Sequence, residues 1–381
     1  MKIAFTCDGA YSYARQDRSA LGGAELQQWL IGRFLASQGW SVKVGVSKAL
    51  EAQRREIIEN VEFVGIGQGG HVLRDWRRFL LSERPDWWYW RCADHLWGTA
   101  VEIARLAGVR TIFAAGLDRD VFPRRALYRR LRWWPLYAWG LQRCDRILLQ
   151  HQGQLSQLAR RWQGKAYVVP NIVPPVSQVE PHLERSNYVA WVATLRQFKR
   201  PELLVEIARR LPGVRFVVCG GPSTFMSPPG YAEAITAALR ALPNVEFRGN
   251  VPPREAEEVI ASAALFLSTS DVEGYPNTFL QAWSNGTPVV SLKVDPGKVI
   301  MQESLGMVEA DINRVIGLIE DLLRSPAKRE EIGNRARRYA VKAHSEQTFG
   351  TLFQQAIRGV RDDREAGTAS ASPSRSRAEV Q

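Results

Sequence analysis

The sequence predicts an α/β protein made of two Rossmann-like, doubly wound parallel-sheet domains that face a central cleft. Three observations lead to this prediction. The chain has 381 residues, which is too long for one ordinary domain and comfortable for two. Short apolar runs alternate with helical patterns along most of the chain, as in a parallel α/β sheet. A proline-rich, polar break divides that alternation near the middle.

The first half of the chain carries the alternation plainly. Residues 24–37 place apolar side chains at helical spacing, including Leu26, Leu30 and Phe34, and the pattern stops before Gly39, which predicts a helix. The apolar runs predicted to be strands are residues 2–6, 42–46, 61–66, 87–90, 110–114, 146–150 and 166–169. We therefore expect an N-terminal sheet domain over residues 1–172.

The second half repeats the pattern after the break. Several prolines and a polar run predict a linker over residues 173–186, and a second sheet domain is expected over residues 187–344. Its predicted strands are residues 188–192, 215–219, 245–248, 264–268 and 288–292, and its predicted helices are residues 201–210, 311–323 and 327–358. Residues 362–381 contain almost no large apolar side chain, so a disordered tail is expected there.

Composition narrows the classes of function. The four cysteines form no Cys-x-x-Cys pair, which disfavours a zinc ribbon or a dense disulfide framework. The net charge of +12 predicts an anionic partner, and since no nucleic-acid-binding motif accompanies it, phosphorylated ligands or an acidic membrane surface are favoured over nucleic acid. The start of the chain lacks the pattern of a secretory signal, and no apolar run approaches the roughly 18 residues of a membrane span. A cytoplasmic protein is expected.

Two short features lie where open α/β sheets bind their ligands, after a strand and before a helix. Gly22 and Gly23 lead into the first predicted helix and would let backbone N–H groups approach a diphosphate; a plain flexible turn is the alternative. Lys199, with Arg196 close by, follows a strand and could neutralise a leaving phosphate; a solvated loop is the alternative.

A third feature is the segment Glu273-Gly274-Tyr275-Pro276-Asn277-Thr278, which precedes a helical run, the sequence Asn-Gly-Thr-Pro and another strand. A carboxylate just before a helix suits ribose hydroxyls, and the exposed N–H groups near Asn277 and Thr278 suit phosphate. The alternative is that Glu273 only favours the helix N-terminus. The strand, loop, helix and strand together form a candidate nucleotide site.

Together these motifs resemble the retaining glycosyltransferases of GT-B fold that include glycogen synthases and bacterial cell-surface polysaccharide transferases, often called family 4. The resemblance covers residues 1 to about 360. It implies that the N-terminal domain holds the acceptor, that the C-terminal domain holds a nucleotide diphosphate-sugar, and that a helix over residues 345–361 crosses back to the N-terminal domain. It also implies retention of configuration and a reaction without a metal or another cofactor. The implied donor-binding residues are Gly22, Gly23, Lys199, Glu273, Gly274, Tyr275, Asn277, Thr278 and Gln281.

Two positions of the second half depart from the family pattern. The second glutamate of the family's pair falls on Gln281, which can form hydrogen bonds but carries no charge. The arginine that usually stands five residues before the lysine falls on Thr194, so Arg196 is the candidate substitute for that charge.

The first half supplies further candidates. Related enzymes often have a histidine in the loop after the fourth strand, and the alignment puts Arg91 at that position, with His95 close by. Asp118 and Asp120 follow the next strand and could contact sugar hydroxyls, although such loop residues are often bystanders. The resulting catalytic candidates are Arg91, His95, Asp118, Arg196 and Lys199.

A basic aromatic stretch occupies residues 124–143. Its predicted membrane- or acceptor-associating residues are Arg125, Arg129, Arg130, Trp133 and Trp134. A helix of this composition can lie on an anionic bilayer with its tryptophans at the interface, and Pro135 is expected to break or kink it. The alternative is an ordinary excursion whose aromatic side chains pack on the N-terminal core.

The expected function is therefore transfer of a sugar from a nucleotide diphosphate-sugar to a glycan or lipid-linked acceptor in the synthesis of cell-surface polysaccharide or glycolipid. We expect the protein in the cytoplasm, at the inner face of the cell membrane if it binds lipid. Two other classes stay open: a GT-B-fold sugar-nucleotide epimerase, and a sugar-nucleotide-binding partner without catalysis. Gln281 and Thr194 keep the last class open.

Overall fold

A computed structural model describes residues 1–67, 70–127, 131–176, 179–223 and 227–369. These residues form two sheets with helices on both faces, one sheet on each side of the predicted linker. The predicted class, two Rossmann-like parallel-sheet domains, is confirmed.

The N-terminal sheet has the strand order β3-β4-β2-β1-β5-β6-β7-β8. Its strands are β1 (Lys2–Thr6), β2 (Ser41–Val46), β3 (Arg55–Ile58), β4 (Val61–Gly65), β5 (Trp87–Arg91), β6 (Arg110–Ala114), β7 (Arg146–Leu149) and β8 (Ala166–Val168). All pairings are parallel except that of the edge strand β3 with β4. The sheet order reverses at β1, which lies between β2 and β5, and ligand sites of open sheets occur at such points.

The helices of this half cover both faces of the sheet. They are α1 (Asp8–Ala14), α2 (Gly23–Ser37), α3 (Val72–Glu83), α4 (Trp97–Leu106), α5 (Pro123–Ala126), α6 (Trp134–Arg143), α7 (Gln152–Gln157) and α8 (Arg160–Gln163), with 3₁₀ turns at Asp118–Val121 and Leu131–Trp133. Helix α2 begins one residue before its predicted start, at Gly23. Gly22 precedes it with φ of 96°, a conformation that favours glycine.

The C-terminal sheet is entirely parallel, with the order β11-β10-β9-β12-β13-β14. Its strands are β9 (Ser186–Val192), β10 (Arg215–Cys219), β11 (Val245–Gly249), β12 (Ala263–Ser268), β13 (Val289–Ser291) and β14 (Gly306–Val308). Strand β9 lies at the point where the order reverses, between β10 and β12. The loops after β9 and β12 therefore meet at one edge of the sheet.

The helices that follow are α9 (Pro201–Arg210), α10 (Tyr231–Arg240), α11 (Pro253–Ala261), α12 (Asn277–Ser284), α13 (Val299–Gln302), α14 (Ile312–Arg324), α15 (Pro326–His344) and α16 (Glu346–Ala369), with 3₁₀ turns at Gln197–Lys199 and Pro296–Lys298. Helix α16 packs Phe349, Phe353 and Ile357 into the core of the N-terminal domain, so the chain returns to the first sheet. The helix continues to Ala369, past the predicted start of the tail at residue 362, because this stretch contains the helix formers Arg, Glu and Ala. Residues 370–381 lie outside the described residues.

One predicted helix is two helices in the structure. The helical pattern over residues 327–358 breaks at Ser345, whose backbone is extended at φ of −65° and ψ of 156°. Ser345 ends α15, and its hydroxyl accepts a hydrogen bond from the Thr348 N–H at 3.2 Å, which caps the start of α16. The prediction missed the break because the apolar residues before and after Ser345 keep helical spacing, and a polar serine between them is compatible with a continuous helix.

The basic aromatic stretch is also divided. Instead of one helical face it forms α5, the 3₁₀ turn Leu131–Trp133 and α6. Pro135 lies in the first turn of α6, where a proline needs no hydrogen-bond donor, so it starts this helix rather than kinking it. Tyr137 and Leu141 of α6 are fully buried in the N-terminal core.

Candidate functional site

A pocket of about 240 Å³ opens beyond the carboxyl ends of β1, β2 and β5. Its walls include Asp8, Gln28, Trp76, Trp90, Arg91 and Asp94. Behind it the indole rings of Trp76 and Trp90 pack edge to face, with their centroids 5.2 Å apart. The pocket therefore combines an aromatic wall with carboxylate, amide and guanidinium groups, a mixture that suits a hydroxyl-rich ligand.

Arg91 lies between this pocket and the centre of the molecule. Its two terminal nitrogens donate to the Tyr89 hydroxyl at 3.0 Å and to Asn171 Oδ1 at 2.6 Å. Its Nε is buried and has no hydrogen-bond partner within the described residues. The structure thus puts the first of the predicted catalytic candidates on the wall of the pocket.

The other candidates of the first half are spread out. Asp118 accepts hydrogen bonds from His151 Nε2 at 2.9 Å and from Gln154 Nε2 at 3.0 Å, and its side chain is about half exposed. His95 lies beside Asp94, with 3.1 Å between Nδ1 and the carboxylate, and its ring contacts Trp133. No described contact joins either residue to Arg91.

Asp120 has a structural role instead of the predicted contact with sugar. Its carboxylate is buried and accepts hydrogen bonds from the N–H groups of Gly116 and Leu117 at 2.8 and 3.0 Å. These bonds fix the loop after β6, and burial raises the pKa of the carboxyl group. A group so enclosed cannot reach a sugar hydroxyl.

In the C-terminal domain, the Lys199 ammonium forms an ion pair with the Glu273 carboxylate. Both side chains are mostly buried, with 19% of Lys199 and 13% of Glu273 exposed. Two bonds hold the loops that carry them: Thr269 Oγ1 donates to the Lys199 carbonyl at 2.7 Å, and the Asp271 N–H donates to the Phe198 carbonyl at 2.8 Å. The structure therefore joins two sequence motifs that are 74 residues apart.

Arg196 lies near carboxylates of both domains. Its Nε donates to Ser223 Oγ at 2.9 Å. Burial lowers the pKa of its guanidinium, and the charges of Glu25 from α2 and Glu273 oppose that shift. Glu25 is buried as well, which raises its pKa, while the charges of Arg196 and Arg91 lower it. Arg196 and Lys199 thus lie among two carboxylates, Glu25 and Glu273, and Arg91 adds a third positive charge that this region shares with the pocket.

The N-termini of α2 and α12 meet at the same place. Gly23 and Asn277, the first residues of the two helices, are joined by a 2.6 Å hydrogen bond from Asn277 Nδ2 to the Gly23 carbonyl. Gly22 precedes the one helix, and Thr278 lies in the first turn of the other. A helix N-terminus carries a partial positive charge, so two of them beside Arg196 and Lys199 favour an anion.

The structure divides the segment Glu273–Asn277 between two tasks, which corrects part of the prediction. Tyr275 is buried, and its hydroxyl bonds to Tyr339 at 2.9 Å and His344 at 3.0 Å, so its side chain is enclosed by protein rather than open to a donor. The side-chain amide of Asn277 is also taken up by protein groups, which leaves only the helix N-terminus for phosphate. Gly274 forms a backbone bridge with Leu117 of the other domain.

The remaining predicted residues have these positions. Gln281 is partly exposed one turn after Asn277 on α12, and Thr194 lies at the end of β9. In the basic stretch Arg125 is exposed, Trp133 is 39% exposed and Trp134 is partly buried. Arg129 and Arg130 lie outside the described residues.

Several residues that lie where the two domains meet were not predicted from the sequence. Gln27, Asn171 and His344 are buried and hydrogen-bonded where the domains meet. His151, which pairs with Asp118, lies beside Gly297 of the C-terminal domain. A polar residue on the apolar face of α2 is the one signal that could have indicated Gln27; the other positions have no local pattern.

No helix among the described residues combines the length and the apolar composition that a membrane span requires. Within the same ranges, no group of three or more His, Cys, Asp or Glu side chains is placed to hold a metal ion. The metal-free reaction implied by the resemblance stays a prediction.

Comparison with known proteins shows which sequences and folds this chain resembles. Residues 175–339 match the sequence model of the family "Glycosyl transferases group 1". A D-inositol 3-phosphate glycosyltransferase from Corynebacterium diphtheriae is 30% identical over 165 residues, which are 41% of this chain and 39% of that protein. The enzyme of the same name from Segniliparus rotundus is 29% identical over 240 residues, 56% of this chain and 53% of that protein. The matches thus span about half of these relatives or less.

Solved structures share the fold over the whole chain. Sucrose-phosphate synthase from Thermosynechococcus elongatus superposes with a TM-score of 0.72 at 15% identity, covering 97% of this chain and 100% of that one. Anabaena HepE, solved in complex with UDP and glucose, has a TM-score of 0.71 at 14% identity and covers 94% of this chain and 100% of its own. The two-domain GT-B fold is therefore shown.

Proposed function

We propose that this GT-B-fold chain, whose residues 175–339 match the group 1 glycosyl transferases, moves a sugar from a nucleotide diphosphate-sugar to a glycan or lipid-linked acceptor. The observation that carries the proposal is the joining of Lys199, Arg196 and Glu273 beside the facing N-termini of α2 and α12. Cations and helix N-termini bind a diphosphate, and a neighbouring carboxylate binds ribose hydroxyls. Two relatives' structures support the donor class, because HepE is solved with UDP-glucose and TarM with UDP.

The proposed donor roles follow from these positions. Glu273 accepts hydrogen bonds from the ribose. Lys199 has three N–H donors, of which its pairing with Glu273 uses one, so the others are available to the β-phosphate. Arg196 replaces the arginine that the resemblance leads us to expect at position 194. As the bond to the sugar breaks, negative charge grows on the diphosphate, and fixed cations stabilise that charge.

The same groups account for a reaction without a metal. A divalent cation is needed where the leaving diphosphate has no other positive partner, and here two side chains and two helix N-termini supply one. We further propose that the sugar keeps its anomeric configuration, as in the resembling family, so that donor and acceptor react on one face of the sugar. Analysis of the product's anomeric configuration tests this part.

The pocket beside Arg91 is the proposed acceptor site. Its charged walls are Asp8, Asp94 and Arg91, which together carry no excess of positive charge. A phosphate group in the pocket would meet two carboxylates, whereas hydroxyl groups can donate to them. We therefore propose an uncharged, hydroxyl-rich ring at the reacting end of the acceptor, which differs from the inositol phosphate named for the relatives.

A membrane surface is the proposed location of a lipid-linked acceptor. Arg124, Arg125 and Arg132 are exposed, and 39% of Trp133 and 49% of Trp139 are exposed. Arg124 lies over the ring of Trp134 and Arg132 over that of Trp133, 5.1 and 5.5 Å from the centroids. Arginines attract anionic head groups and tryptophans favour the bilayer interface. This patch supports a peripheral protein at the inner face of the cell membrane that serves the synthesis of cell-surface polysaccharide or glycolipid.

A screen of nucleotide sugars by thermal unfolding tests the proposal, because a ligand that binds only the folded state raises the melting temperature. Protected mixtures are then incubated with neutral glycosides, phosphorylated polyols or lipid extract, and products are identified by mass spectrometry. We expect protection by one nucleotide class and release of nucleoside diphosphate in proportion to glycoside. Isomerised donor without acceptor would indicate the epimerase, binding without any product the non-catalytic partner, and no protection would refute the donor site.

A further inference from the structure

A polar cluster, buried except at Gly23, Arg91 and Asn277, joins the two domains next to the proposed donor site. We call it the hinge cluster; it consists of Gly23, Gln27, Arg91, Gln150, Asn171, Tyr275, Asn277 and His344. Its members come from α2, the strand ends of the N-terminal sheet, the segment just before the linker, the loop that leads into α12, the first residue of α12 and the end of α15. None of these contacts requires a bound substrate.

Asn171 is the centre of the hinge cluster. Its Oδ1 accepts from Arg91 at 2.6 Å and from Gln150 at 3.3 Å, and its Nδ2 donates to the Tyr275 carbonyl at 3.2 Å and to Asn277 Oδ1 at 3.3 Å. An asparagine amide has two acceptor and two donor positions, and here all four are used. The two acceptor positions face the N-terminal domain and the two donor positions face the C-terminal domain.

Asn277 connects the same loop to α2. Besides its bond to the Gly23 carbonyl, it accepts a hydrogen bond from Gln27 Nε2 at 3.0 Å. Gln27 in turn bonds to both the carbonyl and the N–H of Ile172, at 2.7 and 2.9 Å. The Gln27 side-chain amide of α2 therefore binds both Ile172, just before the linker, and Asn277, at the start of α12.

The close packing of Asn277 against Gly23 also indicates that α2 and α12 are held together here. A Cβ atom built there would lie 2.5 Å from Asn277 Nδ2, closer than real contacts allow, although the backbone of Gly23 is ordinary helix. A side chain at this position would displace the Asn277 amide, so a larger residue is disfavoured by the close approach of the other domain rather than by the backbone conformation. Gly32 of the same helix differs, because its Cβ would meet Val42 at an ordinary 3.5 Å.

From this geometry we infer that Asn277 is a positioning residue that latches the donor loop to α2 and so brings the donor site against the acceptor domain. Arg91, on the wall of the proposed acceptor pocket, is two hydrogen bonds away from Asn277 through Asn171, and Glu273 lies four positions earlier in the same loop. When the domains separate, water can take the place of each hydrogen-bond partner in the latch. Opening therefore leaves no buried polar group without a partner, and closure is reversible. This inference rests on the proposed function for its purpose, but not for its geometry.

Gly23→Ala tests the latch as a wedge, and Gly32→Ala is the matched control on the same helix. Hydrogen exchange is measured in the segments around Leu117 and Gly274, whose backbones pair across the domains, together with the radius of gyration in solution. We expect Gly23→Ala to speed exchange in both segments by about 10-fold or more and to expand the protein, because about two hydrogen bonds of the latch are lost. Gly32→Ala is expected to match the wild type. Equal exchange and size in the two variants would overturn the inference.

A double-variant cycle separates the latch from a direct contact with nucleotide. Asn277→Ala removes the clashing amide, so Gly23→Ala should add little to its effect, and the double variant should exchange no more than about twofold faster than Asn277→Ala alone. Affinities for UDP, ADP and GDP are measured beside it. If Gly23→Ala weakens nucleotide binding and leaves exchange unchanged, Gly23 contacts the diphosphate and the latch is refuted. If no nucleotide binds the wild type, the proposed function fails while the exchange result still decides the latch.

Discussion

Replacement of Glu273 is the strongest test of the donor site. The carboxylate is mostly buried, and one of its oxygens is paired with Lys199, which leaves the other for a ribose hydroxyl. A hydrogen bond to a charged group contributes about 1.5–3 kcal/mol, so Glu273→Ala should weaken binding of the preferred nucleoside diphosphate by roughly 10- to 150-fold. Glu273→Gln keeps an acceptor oxygen but loses the charge, and we expect a smaller loss of about 10-fold.

Titration calorimetry with the diphosphate and with its 2′,3′-dideoxy analogue distinguishes ribose recognition from a general loss of structure. The wild type should prefer the complete ribose, and this preference should vanish in Glu273→Ala. Glu246→Ala is the control, because that carboxylate is paired with Arg215 and Arg248 at the sheet edge strand β11. Unchanged affinity in Glu273→Ala, or a preference for the complete ribose that persists without the carboxylate, would refute the assignment.

Three further predictions concern separate parts of the molecule. Lys199→Met should lower kcat by about 10²- to 10³-fold in a coupled assay of diphosphate release, since it removes a cation from the leaving group, and a wild-type kcat would contradict its role. Arg124→Ala with Arg125→Ala should weaken binding to anionic vesicles, measured by flotation, by about 1 kcal/mol for each arginine. Arg254, whose side chain is 85% exposed in the other domain, is the control, and Arg254→Ala should leave binding unchanged. Burial lowers the pKa of His344 to about 4 from its ordinary 6.5, so the folded state holds this ring neutral, and its contribution to stability is complete above pH 6.5 and is lost as the pH falls towards 4. His344→Gln should abolish this loss of unfolding free energy, up to about 3 kcal/mol between pH 6.5 and 4, in urea unfolding measured against pH, and an unchanged pH dependence would contradict it.

The parallel sheets were predictable because their signal is local. A strand covered on both faces appears as a continuous apolar run, as in Ala263–Ser268, which is buried at every position. The helix of residues 24–37 was equally plain. The edge strand Arg55–Ile58 was missed because only its last two residues are apolar and one of them, Ile57, is exposed, so it shows neither an apolar run nor an alternating pattern.

The candidate site was predictable in part for the same reason. Glu273 and Lys199 each follow a central strand of the second sheet, so their meeting follows from the strand order. The hinge cluster could not be predicted, since it depends on pairs far apart in sequence, such as Gln27 and Asn277, 250 residues from each other. Their positions are set by the packing of two domains, for which one sequence contains no periodic signal.

The segment from Glu273 to Asn277 joins these two levels. Its first residue presents charge to the donor site, and its last residue bonds to the other domain only four positions later. Any shift of α2 against α12 therefore moves the carboxylate that is proposed to hold the ribose. An apolar contact at this place would hold the domains together without fixing their relative position, because dispersion forces depend little on direction. The four hydrogen bonds of the Asn171 amide can all form in only one arrangement of the two domains. A small change in free energy is therefore enough to select a closed geometry, in which the distance between the nucleotide-sugar site and the acceptor pocket is defined.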